Sequence, residues 1–145
     1  MQILAVQKEH LPRIAALEEA CFSAPWSEAA LLEALENPAY TLLAAFDGET
    51  LLGYGGMYTV AGENSVTNIA VFPENRRIGV GRALVRGLVR AAEEQDADSL
   101  TLEVRVSNTG ARALYESEGF QNLGVRPRFY EKPEEDAVIY TRFLK

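Results

Sequence analysis

The sequence predicts an α/β fold: one mixed β-sheet covered by helices on both faces. Three observations predict it. The 145 residues, 48% hydrophobic and 24% charged, suit a single domain spanning 1–145, which can bury a core without metal or disulfide. Apolar residues recur at helical spacing in some segments and alternate strictly in others. The segments run in the order strand, two helices, three strands, helix, strand, helix, two strands.

Ile3–Val6 is a short apolar strand. Leu11–Phe22 puts Leu11, Ile14, Leu17 and Cys21 on one helical face, which assigns Cys21 to buried packing. Pro25-Trp26-Ser27-Glu28 opens a second helix, with Ser27 as N-cap and Glu28 in the first turn. Leu31, Leu32 and Leu35 form its stripe, and Asn37-Pro38 stops it. Tyr40–Phe46 and Leu51–Val60 form a hairpin pattern around Asp47-Gly48, and Glu63–Phe72 is the next strand. Val80, Ala83, Leu84, Leu88 and Ala91 mark a long helix reaching Gln95. In Leu100–Val106, the apolar residues 100, 102, 104 and 106 face one way and Thr101, Glu103 and Arg105 the other. Ser107-Asn108 caps a short helix ending at Gly119, and residues 120–130 and 137–144 make two last strands.

Composition narrows the chemistry. A lone cysteine, Cys21, excludes an internal disulfide and a cysteine-rich zinc site. A lone histidine, His10, excludes a two-histidine metal site, and its place at a helix start marks it as a surface residue. No metal is expected. The net charge of −7 opposes nucleic-acid binding and suits a basic protein or peptide partner. The longest uncharged run, Thr50–Gly62, is thirteen residues, short of the roughly 20 that span a membrane. Met1–Val6 lacks the basic start and cleavage site of a secretory signal, so a cytoplasmic location is expected.

The segment that carries chemistry is Arg76-Arg77-Ile78-Gly79-Val80-Gly81-Arg82, between a strand and the long helix. Its glycines allow close backbone approach. The first N–H groups of the helix have no internal partner, and the helix dipole is positive at that end. Together with the arginines they make a site for a phosphate or pyrophosphate; a tight turn that only allows packing is the alternative. There is no Gly-Lys pair for a Walker loop, and Leu84 stands where a dinucleotide fingerprint needs a small residue. Arg82 is near enough to the helix start to help; Arg86 and Arg90 read as a solvated face.

Arg76-x-x-Gly79-x-Gly81, one strand after Asn68-Ile69-Ala70-Val71, resembles the acetyl-CoA signature of the GCN5-related N-acetyltransferases, and the element order matches that fold over the whole chain. Further segments resemble the bacterial ribosomal-protein alanine N-acetyltransferases within that family. They are Phe22-Ser-Ala-Pro25-Trp26-Ser27-Glu28, Leu102–Asn108, Ala113–Phe120 and Glu135-Asp136-Ala137. The resemblance implies acetyl transfer from acetyl-CoA to the N-terminal alanine of a small-subunit ribosomal protein. It also implies that backbone N–H groups of Ile69, Ala70 and Val71 hold the acetyl carbonyl. Another amine, of a lysine or a small metabolite, is the alternative within the fold; an acyl-CoA-binding module without activity is the alternative outside it.

Such chemistry needs a base for the amine and an acid for the departing thiolate. Glu103, mid-strand opposite the apolar row, is either that base or a surface carboxylate paired with Arg105; the family's motif assigns it the base role. Tyr115 is the acid candidate, because a phenol stays protonated at neutral pH; helix packing through Ala111 and Tyr115 is its other reading. Asn108 can cap its helix, bond the pantetheine arm, or both. Trp26 and Tyr130 are candidates for lining the acceptor groove, or are rim aromatics. Near Tyr130 the family pattern is Arg, two residues, Tyr-Tyr; here Phe129 replaces the first tyrosine after Arg126-Pro127-Arg128. Glu131, Glu134, Glu135 and Asp136 either attract a basic substrate or form a solvated acidic turn.

Overall fold

The computed structural model describes all residues, Met1–Lys145. A seven-stranded sheet runs through it in the order β1-β2-β3-β4-β5-β7-β6. The strands are β1 (Gln2–Ala5), β2 (Tyr40–Asp47), β3 (Thr50–Val60), β4 (Glu63–Val71), β5 (Ser99–Arg105), β6 (Gln121–Tyr130) and β7 (Glu135–Phe143). The helices are α1 (Leu11–Cys21), α2 (Glu28–Glu36), α3 (Val80–Glu94) and α4 (Thr109–Ser117). No helix is long and apolar enough to cross a membrane. Ser27 caps α2 as its spacing predicts, its hydroxyl accepting the Ala30 N–H at 3.1 Å. Asn108 likewise caps α4, accepting from the Ala111 N–H.

The core lies on both faces of the sheet. Leu11, Ile14 and Leu17 of α1 and Leu31 of α2 pack on Leu42, Ala44 and Phe46. On the other face, Leu88 and Val85 of α3 and Tyr115 of α4 pack on Leu100, Leu102, Val104 and Tyr140. Successive strand residues point to opposite faces, so one strand feeds both layers. Ala45 beside Ala44 does so, meeting Val80 and Leu84.

All neighbouring strands are antiparallel except β4 and β5, which α3 connects as a parallel crossover. Their ladder covers only Glu63↔Ser99, Asn64↔Leu100 and Ser65↔Thr101. Beyond it the strands part. On its other edge β4 is bulged: β3 pairs Gly56 with Asn68 but Met57 with Val66, leaving Thr67 without a partner. A bulge bends its strand and increases the local twist, so β4 turns away from β5 where the ladder ends. Gly56 permits this close approach. A Cβ there would stand 2.8 Å from both Thr67 Oγ1 and Leu42 Cδ2.

Candidate active site

The parting of β4 and β5 opens two cavities that meet. The first, of about 440 Å³, lies between Val66–Ile69 of β4 and Leu102–Arg105 of β5, closed by Phe22, Ala24, Phe129 and Tyr130. The second is a groove of about 720 Å³ between β4, the turn at the start of α3, and α4. Cys21, Phe22, Ile69, Asn108 and Tyr115 line both.

The groove gathers every residue expected to hold a cofactor except Ile78, whose side chain is exposed on the outside of the turn. Gly79 is the N-cap of α3, with φ +89°, a left-handed backbone that favours glycine. No side chain caps this end. The first intrahelical bond runs from the Ala83 N–H to the Gly79 carbonyl, so the N–H groups of Val80, Gly81 and Arg82 are free of the helix ladder. Nothing lies within 4 Å of a Cβ built at Gly79, so the approach is open. These features fit a pyrophosphate-bearing ligand. Arg76 folds back instead: its Nε donates to the Val71 carbonyl at 3.2 Å and its Nη2 to Cys21 Sγ.

Two expectations about the arginines change. Arg82 lines the groove, but its Nη1 donates to Glu118 Oε2 at 2.5 Å and to Ser117. Arg86 is not simply solvated; its Nε donates to Glu118 Oε1 at 2.8 Å. Glu118 is buried beneath them, and the hydrogen bond from Arg86 leads the causes that hold its carboxyl below the usual range. The pair ties α3 to the end of α4, and so fixes the helix carrying Tyr115 against the groove.

The strand edge facing the cavities is also specific. The Phe72 N–H donates to the Leu52 carbonyl, and the Ala70 carbonyl points at Gly53 of β3. Ala70 therefore spends its backbone groups on β3. Ile69 and Val71, one residue either way, turn theirs to the edge that β5 has left. The Val71 carbonyl accepts from Arg76 and from the Cys21 thiol at 3.5 Å. Of the three residues expected to hold an acetyl carbonyl, Ala70 thus contributes wall only.

Glu103 reaches the first cavity from β5, its side chain 23% exposed. It does not pair with Arg105; its cation neighbour is Arg126 Nε at 3.8 Å. Arg105 instead donates to Glu135 and to the carbonyls of Pro133 and Glu131, and lies 4.4 Å from the centre of the Tyr130 ring. The acidic turn is thereby partly neutralised: Glu135 also accepts the Ser107 N–H, and Asp136 accepts the Arg128 N–H. These bonds hold an irregular stretch of β6, where register shifts between Arg126 and Tyr130, and bring Phe129 and Tyr130 over the cavity. Tyr115 is buried at the junction, and desolvation, followed by the nearby Tyr130, pushes its phenol up to about 12. Desolvation, followed by the charge of Glu103, also pushes Tyr130 up to about 12.

Two residues, Trp26 and Cys21, stand elsewhere than expected, whereas His10 lies outside the site. The Trp26 ring meets Tyr40 edge-on at 6.1 Å and lines a separate outer pocket. Only its backbone touches the cavity wall, donating to Glu18. Cys21 leaves the buried stripe at the end of α1 and is half-buried between the cavities. His10 Nδ1 accepts the Gln7 N–H at 2.9 Å and its ring lies on Phe46, remote from both cavities. Among the wall residues that escaped the sequence reading are Phe22, which lines both cavities, and Glu18, fully buried, next to Leu17 and four residues after Ile14. A carboxylate on a helix stripe is the signal that could have found Glu18.

The model of the acetyltransferase (GNAT) family matches residues 11–120. The chain belongs to that family. A Bacillus subtilis (strain 168) protein, named as a candidate ribosomal protein bS18-alanine N-acetyltransferase, is 40% identical over 133 residues, covering 90% of this chain and 87% of that protein. The ribosomal protein bS18-alanine N-acetyltransferase of Escherichia coli (strain K12) is 32% identical over 139 residues, 94% of this chain and 93% of the relative. A crystal structure of the ribosomal-protein-alanine N-acetyltransferase from Escherichia coli superposes with a TM-score of 0.90 at 31% identity, covering 99% of this chain and 94% of that one. The mixed sheet with helices on both faces is the fold of this acetyltransferase family, and the two cavities lie where its strands part.

Proposed function

We propose that residues 1–145 form one acetyltransferase domain that moves the acetyl group of acetyl-CoA to the N-terminal alanine of a small-subunit ribosomal protein in the cytoplasm. The observation that carries this reading is the junction itself. Tyr115 and Ile69 line both cavities, whereas Glu103 lines only the first. A base on the amine side and a proton donor at the crossing suit direct transfer between two ligands entering from opposite ends. The named activities of the relatives support the choice of acceptor.

The residues have distinct roles in this reading. An α-amine has pKa ≈ 7.7–8.0, so much of it is protonated near pH 7, and only the neutral form attacks. Glu103 takes a proton from the amine, directly or through water, as the new C–N bond forms. The N–H groups of Ile69 and Val71 stabilise the negative charge that develops on the carbonyl oxygen. Tyr115 gives its proton to the sulfur as the C–S bond breaks. The free N–H groups at the start of α3 hold the pyrophosphate, and Tyr130 and Phe22 flank the entering peptide. The net charge of −7 favours a basic acceptor over nucleic acid.

Incubation with acetyl-CoA and peptides differing in their first residue, read by mass spectrometry, tests the proposal. A gain of one acetyl group on the α-amine of alanine-first peptides from the ribosomal protein is expected. Acetylation confined to lysine side chains or small amines would replace the assigned acceptor.

A further inference from the structure

Glu18 is fully buried, and a buried carboxylate is costly unless hydrogen bonds replace water. Three donors do so. Oε1 accepts the Trp26 N–H at 2.8 Å; Oε2 accepts the Tyr54 hydroxyl at 2.5 Å and Asn68 Nδ2 at 2.7 Å. Asn68 also donates to the Tyr54 oxygen at 3.1 Å. All three partners are neutral. Burial, then the adjacent Glu18 charge, pushes the Tyr54 phenol far above its ordinary range, so it keeps its proton.

The donors come from three places that matter to the reaction. Trp26 follows Phe22 and Ala24, which wall the acceptor cavity. Asn68 stands between the bulged Thr67 and Ile69, whose backbone faces the cavities. Tyr54 carries the β3 side of the same contact. We infer that Glu18 is a positioning residue for acetyl transfer: its carboxylate holds the acceptor wall against the bulged part of β4, fixing the distance between amine and acyl carbonyl. This rests on the acetyltransferase reading above. Glu18 stands in the wall of the acceptor cavity, but it is fully buried and both carboxylate oxygens are occupied by these donors, so it acts through them. A leucine would fill the space but leave three donors facing apolar surroundings.

The test uses Glu18→Gln, Tyr54→Phe and their double variant, with whichever acceptor the parent acetylates. Glutamine keeps the volume but turns one acceptor oxygen into a donor facing another donor. A misplacement of about 1 Å can cost about 10²-fold in rate, so kcat should fall at least about tenfold and acceptor KM should rise. Acetyl-CoA affinity, measured by calorimetry, should be unchanged, because the start of α3 is untouched. Tyr54→Phe should lose less, and the double variant should lose no more than Glu18→Gln, as expected of residues in one network. Parental kcat and acceptor KM well below the melting temperature would overturn the inference, leaving Glu18 a stability residue. So would an equal loss of acetyl-CoA affinity. Should Glu18→Gln fail to fold, Tyr54→Phe and Asn68→Ala decide by the same split. A parent inactive on every class of amine would instead remove the functional reading, and this inference with it.

Discussion

The groove takes most of its wall from one run of sequence, Ile69–Arg82, whereas the first cavity, the proposed acceptor site, draws on α1, the α1–α2 connection, β4, β5, α4 and β6. The groove works through backbone: an uncapped helix start, a left-handed glycine and an edge that β5 has left. The acceptor cavity works through side chains held by other side chains. The difference teaches where each half is vulnerable. A backbone site fails when something fills it, and a side-chain site fails when a single functional group is removed.

The largest effect should follow from the side-chain half. Glu103→Gln keeps shape and removes basicity, so activity at neutral pH should drop about 10²–10⁴-fold, the usual scale of general-base catalysis. Acetyl-CoA binding should survive, since Glu103 does not line the groove. Activity should partly return at high pH, where the acceptor amine is already neutral. Steady-state rates across pH, with calorimetry for the ligand, check both halves of this statement; an unchanged rate at pH 7 would leave Glu103 a wall residue.

Tyr115→Phe sits on the border of the comparison, because Tyr115 lines both cavities. Up to about 10²–10⁴-fold loss of kcat is expected, with little change in the KM for acetyl-CoA, if thiolate departure limits the rate. The parent should show no alkaline loss from this group over ordinary assay pH, because its phenol is pushed up to about 12. A donor thioester with a more acidic thiol needs less protonation, so the defect should shrink with it. Equal defects with both thioesters would make Tyr115 a packing residue.

The backbone half should fail by obstruction. A ligand that binds only the folded protein adds about 2.7 kcal/mol at a hundredfold excess over its Kd. Gly81→Glu puts a carboxylate at the helix start, where a Cβ meets only Leu114 at 3.5 Å, so the fold should tolerate it. The rise in melting temperature on adding acetyl-CoA should vanish. A folded variant that keeps the full rise would move the pyrophosphate elsewhere.

The same contrast governs what could be read in advance. Residues 76–82 announce themselves because their function is local: glycines, arginines and a helix start lie in one stretch of chain. Glu103 is legible because strand alternation separates it from Leu102 and Val104, and the alternative pair with Arg105 does not form because Arg105 turns to Glu135. Glu18 with Tyr54 and Asn68 was not legible, because three residues spaced across fifty positions meet only when the sheet forms. The parting of β4 and β5 likewise follows from the Thr67 bulge, for which strand periodicity gives no sign. Arg86 looks solvated from helical spacing alone, and its partner Glu118 arrives from the end of another helix, where it also takes Arg82.

That last contact supplies the smallest prediction, and it sharpens the boundary between the two halves. Glu118 is buried, with its carboxyl lowered chiefly by Arg86 and then by Arg82 against the opposing effect of desolvation. A carboxylate whose folded pKa is depressed stabilises the fold at pH above its unfolded value, about 4.3 for glutamate. That contribution is lost as pH falls from there through the folded value. Glu118→Gln should therefore melt below the parent at pH 7, and the gap should narrow as the buffer is taken to about pH 3, where the parent carboxyl also begins to carry a proton. Acetyl-CoA affinity should not fall, because the change frees Arg82 and leaves the N–H groups at the start of α3 in place. Thermal melts of parent and variant at both pH values, with and without acetyl-CoA, read all of this together. A gap that stays constant with pH would assign Glu118 to packing. A loss of ligand affinity would mean that the ion pair, and not backbone alone, shapes the groove.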